Sequence, residues 1–333
     1  MGKIVLVLVS LTVAFTFKLC SEEEKISEVL KIYMSSDGNN LNSGLKSNNS
    51  VLTLTKVQEL LYGLSPITDI EVHIKQGTYL NQEVVWNFVN GKKITFMAID
   101  TAGGKPLFDG GGKKVWFTLQ KKNGVNTNLI FKNIKVRNYR MGVNLSGSKD
   151  NPNAWNGNNH FEGMYFENIG SKHAKGQSPG FAAIKMNNSR NNSVVNSTFM
   201  NIENKEKKGL IHALYLAHYS SNNIVKNNQF INVSGDVIRT RNESNYNIIE
   251  SNEFTEAGKI AFYSDWYCSS ETKKDCTRLE RPSYGNVFKN NVCDTGYNSR
   301  SIQFVKLNGV EGCCKDLPEK RLKTSGNIQK AKY

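Results

Sequence analysis

A 24-residue repeat, apolar residues that alternate within it, and an asparagine returning at one place per copy predict an all-β solenoid, a right-handed parallel β-helix wound from single short strands. Ala213-Leu-Tyr-Leu-Ala-His218, Val237-Ile-Arg-Thr-Arg-Asn242 and Ala261-Phe-Tyr-Ser-Asp-Trp266 align at an offset of 24. The first two are followed by Asn223-Ile-Val-Lys-Asn-Asn-Gln-Phe230 and Asn247-Ile-Ile-Glu-Ser-Asn-Glu-Phe254, and a third copy, Asn286-Val-Phe-Lys-Asn-Asn-Val-Cys293, comes after an insertion. A fixed period of this size means stacked supersecondary units. Leu214, Leu216 and Ile224 keep the period of a strand and not of a helix. Asn228, Asn252 and Asn291 are placed to form an amide ladder, each side chain bonding to the next coil across the ~4.8 Å strand spacing.

A solenoid grows by adding coils, so 333 residues fit one elongated domain. That domain is expected over residues 22–333. Residues 1–21 carry a basic start (Lys3) and an apolar run at 4–17, too short to span a bilayer, as in a secretory signal. Cys20 leaves a lipid-anchored form open. The formal charge is +14, and only Lys3 and Lys18 lie in the segment that would be removed. The excess of cations favours acidic partners; export argues against nucleic acid, and no membrane insertion is expected after removal of the signal. In an exported chain the remaining cysteines should be oxidised. Cys268 and Cys276 flank a short Lys-rich insertion and are expected to close it, with Cys293 joined to Cys313 or Cys314.

Along the chain, positions 32–39 read as a first strand running into an Asp-Gly turn. A Thr53 cap followed by Val57, Leu60 and Leu61 predicts a short amphipathic helix over 53–64, suited to cover the open N-terminal end of the stack. Strands follow at 71–76, 93–99, 115–119 and 128–136, then at 142–146, 161–166 and 183–187. Long polar turns at 147–159, 170–180, 204–208 and 269–283 are expected to wall one face. The last recognisable strand is placed at 301–305, and the tail from 315 is basic, poor in apolar residues and read as loose at its end.

If Leu214 and Leu216 point inward, the alternation fixes two outward columns. One reads Asn144, Lys185, Tyr215, Arg239, Tyr263; the other reads Ser146, Asn187, Ala217, Arg241, Asp265. Asn188, His218, Asn242 and Trp266 sit at the strand ends. His212 and Asp236 are expected to form a buried polar pair. On such a face arginines clamp carboxylates or sulfates and aromatics stack on sugars.

The order strand, helix, Gly77-Thr-Tyr, strand, Phe108-Asp-Gly-Gly-Gly112 resembles the opening of pectate-lyase-like parallel β-helix proteins. The face is loosely similar to the chondroitinase B and alginate lyase branch, in which a catalytic lysine at a strand end is followed one coil later by a catalytic arginine. His218 occupies the lysine place here, and Arg239 or Arg241 the arginine place. That branch also holds calcium with acidic and amide side chains ahead of the lysine; Ile211 to Ala217 contains no acid, so no cofactor is expected.

Three chemistries compete for the face. β-Elimination on a uronate-containing polysaccharide needs a cation, a base and an acid; Arg239 or Arg241 would supply the first, and Tyr215, His218 or Lys185 the others. Tyr263, Asp265, Trp266, Asn187 and Asn242 would bind the sugar chain. Glycoside hydrolysis needs two carboxylates, for which Asp265 with Asp236 or Asp294 are the candidates. The third is glycan binding without chemistry. The expectation is a secreted, monomeric polysaccharide lyase.

Overall fold

In the computed structural model, which describes Gly2, residues 29–269, Cys276 and residues 279–309 and 316–330, each coil lays one strand on each of three parallel sheets. Among the described residues these sheets hold ten, nine and eight strands, with a small fourth sheet of three. Leu30–Met34 opens the first sheet against Ile70–Lys75, and Leu322–Ser325 closes it against Asn286–Lys289. The architecture is a right-handed parallel β-helix with one short N-terminal helix. Residues 1–21, read as a signal, lie outside the described residues apart from Gly2. Among the described residues no helix is long and apolar enough to cross a membrane.

The helix Leu54–Leu64 starts where Thr53 accepts from Lys56 N–H and stops at Ser65, whose left-handed backbone donates back to Leu61. It buries Leu54, Val57 and Leu61. Its Gln58 caps the open edge of the third sheet, accepting from Asn87 N–H at 2.6 Å and donating to the Val85 carbonyl at 3.0 Å. An otherwise unpaired sheet edge is thereby closed.

Side chains stack coil on coil in the interior. On the second sheet Phe166, Phe199, Phe230 and Phe254 face each other in register with centroids 5.0–5.2 Å apart. Cys293 occupies the next position of that column. It is a buried free thiol, which burial pushes up to about 12. The expected bridge from Cys293 is therefore corrected: its side chain fills the place of a core aromatic. Cys313 and Cys314 lie outside the described residues.

Asparagines hold the turns. Asn159, Asn192, Asn223, Asn247 and Asn286 form one buried ladder, in which each Oδ1 accepts both the backbone and the amide N–H of the asparagine before it. Asn228, Asn252, Asn291 and Asn327 form a second, as expected for the first three. A third, half-exposed run joins Asn138, Asn168, Asn201 and Asn232, all with φ of 55–59°. Asparagine tolerates this left-handed backbone better than other non-glycine residues.

Two further readings change. The strand at 301–305 is not the last, since Leu322–Ser325 and Ile328–Gln329 add strands to the first two sheets. The register also shifts by one residue between Ile238–Arg241 and Ala261–Trp266, pairing Arg239 with Ser264, Thr240 with Asp265 and Arg241 with Trp266. The turn from Ala257 to Tyr263 is one residue longer than its counterpart from Val233 to Ile238. Tyr263 and Asp265 consequently point inward and are almost fully buried.

The buried ladders should carry more stability than the half-exposed run. Asn247→Ala removes a buried side chain that accepts two hydrogen bonds and donates to Ser244 and Asn286, and is expected to cost about 2–4 kcal/mol in urea unfolding. Asn232→Ala should cost about 1 kcal/mol or less by the same measurement.

Candidate functional site

The third sheet presents the outward columns to solvent. Asn144, Lys185, Tyr215 and Arg239 stack in register on four successive coils, as the alternation predicts, followed by Ser264 in place of Tyr263. The second column runs Ser146, Asn187, Ala217, Arg241 and then Trp266, not Asp265. The shift places the Trp266 ring 4.4 Å from the Arg241 guanidinium carbon, a cation–π contact.

Both arginines on these columns already hold carboxylates. Arg241 makes a bidentate pair with Glu280, Nε to Oε2 at 2.8 Å and Nη2 to Oε1 at 2.7 Å. Its remaining nitrogen donates to the Tyr215 hydroxyl at 3.2 Å. Glu280 is 6% exposed and also accepts from Cys268 N–H. Burial alone would raise its carboxyl, but Arg241 and that amide hold it below the ordinary range. The Cys268–Cys276 disulfide is formed, with Cα atoms 5.3 Å apart, and Glu280 lies just beyond it, its N–H bonded to the Cys268 carbonyl.

Arg239 donates to Asp236 Oδ2 at 2.5 Å and to Ser264 Oγ at 2.9 Å. The other oxygen of Asp236 accepts from Ile260 and Ala261 N–H. His212 does meet Asp236, but through the backbone: its Nδ1 lies 2.6 Å from the Asp236 carbonyl. Burial, with Arg239 nearby, pushes the imidazole down to about 3, so His212 is a neutral structural group.

Lys185 differs from these. Among the described residues no carboxylate pairs with it, and its ammonium lies 5.6 Å from the Phe181 ring centre. Burial first, then Arg241 and Arg140, push its pKa below the ordinary lysine value. Arg140, at the entry to the strand Met141–Ser146, donates to Ser178 Oγ at 2.8 Å and likewise has no carboxylate partner among the described residues. Its Nε and the Asn144 Oδ1 are buried without a protein partner there. Asn187 donates to the Gly147 carbonyl at 2.8 Å.

His218 and Asn242 stack on each other in left-handed turns, with Asn242 Nδ2 3.2 Å from His218 Nδ1. Both are 7% exposed, which removes His218 from the open face where a lysine equivalent was expected. Asp265 is bound inside by Thr240 and Arg321 and Asp236 is held by Arg239, so the carboxylate pairs drawn for a hydrolase on Asp265 do not assemble. A calcium ion finds no fit either: among the described residues no three His, Cys, Asp or Glu side chains converge, and the carboxylates of this face, Asp236 and Glu280, are taken by arginines.

Among solved structures, the chain superposes on a rhamnogalacturonan lyase with a TM-score of 0.57 at 18% identity, covering 80% of this chain and 68% of that one. It superposes on an alginate lyase from Paenibacillus sp. str. FPU-7 with a TM-score of 0.57 at 11% identity, covering 83% and 93%. The fold is that of the pectate-lyase-like parallel β-helix proteins. At these identities the likeness is one of fold. No family model matches the chain, and no curated protein is similar to it at a significant level.

The alternation placed neither Arg140 nor Glu280 at the site, and it set Asp236 in register with His212, not against Arg239. Glu280 lies four residues past Cys276 in an insertion, and Arg140 and Asp236 lie in strand-entry turns outside the aligned columns. The Arg241–Glu280 contact is testable by a double-mutant cycle. Glu280→Ala alone should destabilise by about 3–5 kcal/mol by leaving a buried guanidinium uncompensated, while the added loss from Arg241→Ala in that background should be much smaller in the same denaturation assay.

Proposed function

We propose that the protein is a secreted, monomeric lyase that cleaves an acidic, uronate-containing polysaccharide by β-elimination on the face around Lys185. The observation that carries this reading is Lys185 itself: a lysine shielded from water, in a cationic surround, with no carboxylate partner among the described residues. Those conditions favour the neutral amine, which is what a general base requires.

Each chemical need has a residue. The sugar carboxylate is met by the Arg140 guanidinium, which has no carboxylate partner among the described residues and lies near enough to Lys185 to lower its pKa. This replaces Arg239 and Arg241, already neutralised by Asp236 and Glu280. The Lys185 amine takes the proton α to the carboxylate, and the electron pair left behind spreads onto the carboxylate, where cations stabilise it. The pair then forms the carbon–carbon double bond as the β carbon–oxygen bond breaks. Tyr215, its hydroxyl held by Arg241, gives its proton to the departing oxygen. Trp266 and Asn187 lie along the same strand ends and would bind flanking sugars, whereas Asn242 is turned onto His218 and Arg281 N–H. One observation favours a non-catalytic glycan-binding module instead: both column arginines are engaged by built-in carboxylates.

Incubation with alginate, pectate and glycosaminoglycans, followed by absorbance of unsaturated ends, tests the reading. Lys185→Ala should lower kcat/KM by about 10²–10⁴, and Tyr215→Phe should lower kcat with KM little changed. Arg140→Ala should cost about a hundredfold or more. The rate should rise with pH as Lys185 loses its proton, at a pH below the ordinary lysine value of 10.5. Retention of acidic glycans on a column without any unsaturated product would establish the binding module in its place.

A further inference from the structure

A second charged depression lies beside the site, at the turns that lead into the third sheet. It is a cleft of about 370 Å³ lined by Lys207, Leu210, Arg239, Lys259 and Ile260, with Asp236 beneath. We propose that this cleft is a separate subsite for an acidic sugar unit of the bound chain, read by Lys207 and Lys259. The assignment rests on the polysaccharide reading of the neighbouring face and extends it along the helix axis.

Four features support it. The floor is rigid: Asp236 is 2% exposed and fixes both the Arg239 guanidinium and the Ile260 backbone. Its single negative charge is matched by Arg239, which leaves the charges of Lys207 and Lys259 in excess. Neither lysine forms an ion pair among the described residues, and both are exposed. Gly209 makes room for one of them, since a Cβ there would lie 2.8 Å from Lys259 Cδ and 3.1 Å from its Nζ; the lysine stem crosses the cleft where a side chain at 209 would block it. Finally, Leu210 and Ile260 are 43% and 48% exposed, an unusual amount of apolar surface beside two ammonium groups.

A ligand that satisfies both chemistries carries an anionic group and an apolar face, as a uronate or sulfated pyranose does with its carboxylate or sulfate and its C–H face. Continuity with the neighbouring site selects a saccharide over other anions. Arg239 lines the cleft and stands one coil from Tyr215 and two from Lys185, about 10 Å by strand spacing, so one oligosaccharide can reach from the base to the lysines.

The test compares wild type with Lys207→Ala/Lys259→Ala, an exposed pair remote from the proposed chemistry. On long acidic oligosaccharides KM should rise about tenfold with kcat unchanged, and its salt dependence should flatten. On the shortest acidic oligosaccharide that is cleaved, KM should stay the same. If wild type cleaves nothing, the lyase reading falls. Titration of an acidic hexasaccharide and its neutral counterpart then tests the subsite alone: about tenfold weaker binding of the acidic one only, in the variant, supports it. Equal KM or Kd in variant and wild type, or the same loss for short or neutral sugars, overturns it.

Discussion

Each coil of this molecule sends its backbone donors and acceptors along the helix axis, and they must find partners in the next coil. The strands meet this requirement through their parallel ladders. The turns cannot, because their backbones point in irregular directions, and an unpaired buried N–H or C=O costs roughly 1–3 kcal/mol. Stacked asparagines solve the problem by accepting from both the backbone and the amide of their predecessor. Serines do the same after the third sheet, where Ser189, Ser220 and Ser244 each donate a backbone N–H to the next serine hydroxyl, ending at Ser283. These contacts need side chains in the same place on every coil. Insertions must therefore leave and rejoin the stack without disturbing the rungs, and several are tied down by buried carboxylates. Glu203, 1% exposed, gathers Lys172, His173 and Tyr297. Those three hydrogen bonds outweigh its burial and hold its carboxyl at about 2.

The same stacking sets the electrostatics of the face. Successive coils lie only ~4.8 Å apart across the strands, so Lys185 two coils from Arg239, and Arg239 and Arg241 on one strand, crowd like charges onto one face. Asp236, from a turn, and Glu280, from the insertion, offset the repulsion at Arg239 and Arg241. No such group reaches Lys185 among the described residues, and its burial, with Arg241 and Arg140 nearby, holds its pKa below the ordinary lysine value. Pairing at the arginines and its absence at the lysine among the described residues are thus two outcomes of one geometry.

The fold was legible because the repeat is written in the residues that must coincide from coil to coil. The offset of 24 set Tyr215 against Arg239 and Asn228 against Asn252, whereas Lys185 stands 30 residues before Tyr215 and was matched only across an irregular coil. The offset failed at Tyr263 and Asp265 because one added residue in a turn leaves no mark on the apolar pattern: Phe262 suits the core in one register and Tyr263 in the other. The site was legible only in its strand residues. Arg140, Asp236 and Glu280 come from turns and insertions, whose lengths vary between coils, so no column predicts where their side chains land. Cys293 shows the same limit from the other side. Export chemistry argued for a bridge, and only its alignment with Phe254 reveals it as part of the core.

The longer turn between Ala257 and Tyr263 behaves like a reading-frame shift for the surface. One extra residue there leaves the neighbouring coils in register while carrying Tyr263 and Asp265 into the core and Trp266 out over Arg241, with Phe262 still packed on Phe254. A globular core would have to be repacked to accept such a change. Here the cost was confined to one rung, where Thr240 and Arg321 shelter the buried aspartate. The outward face of a solenoid can accordingly be rewritten a strand at a time by insertion or deletion, a route to new specificity that point substitution does not offer.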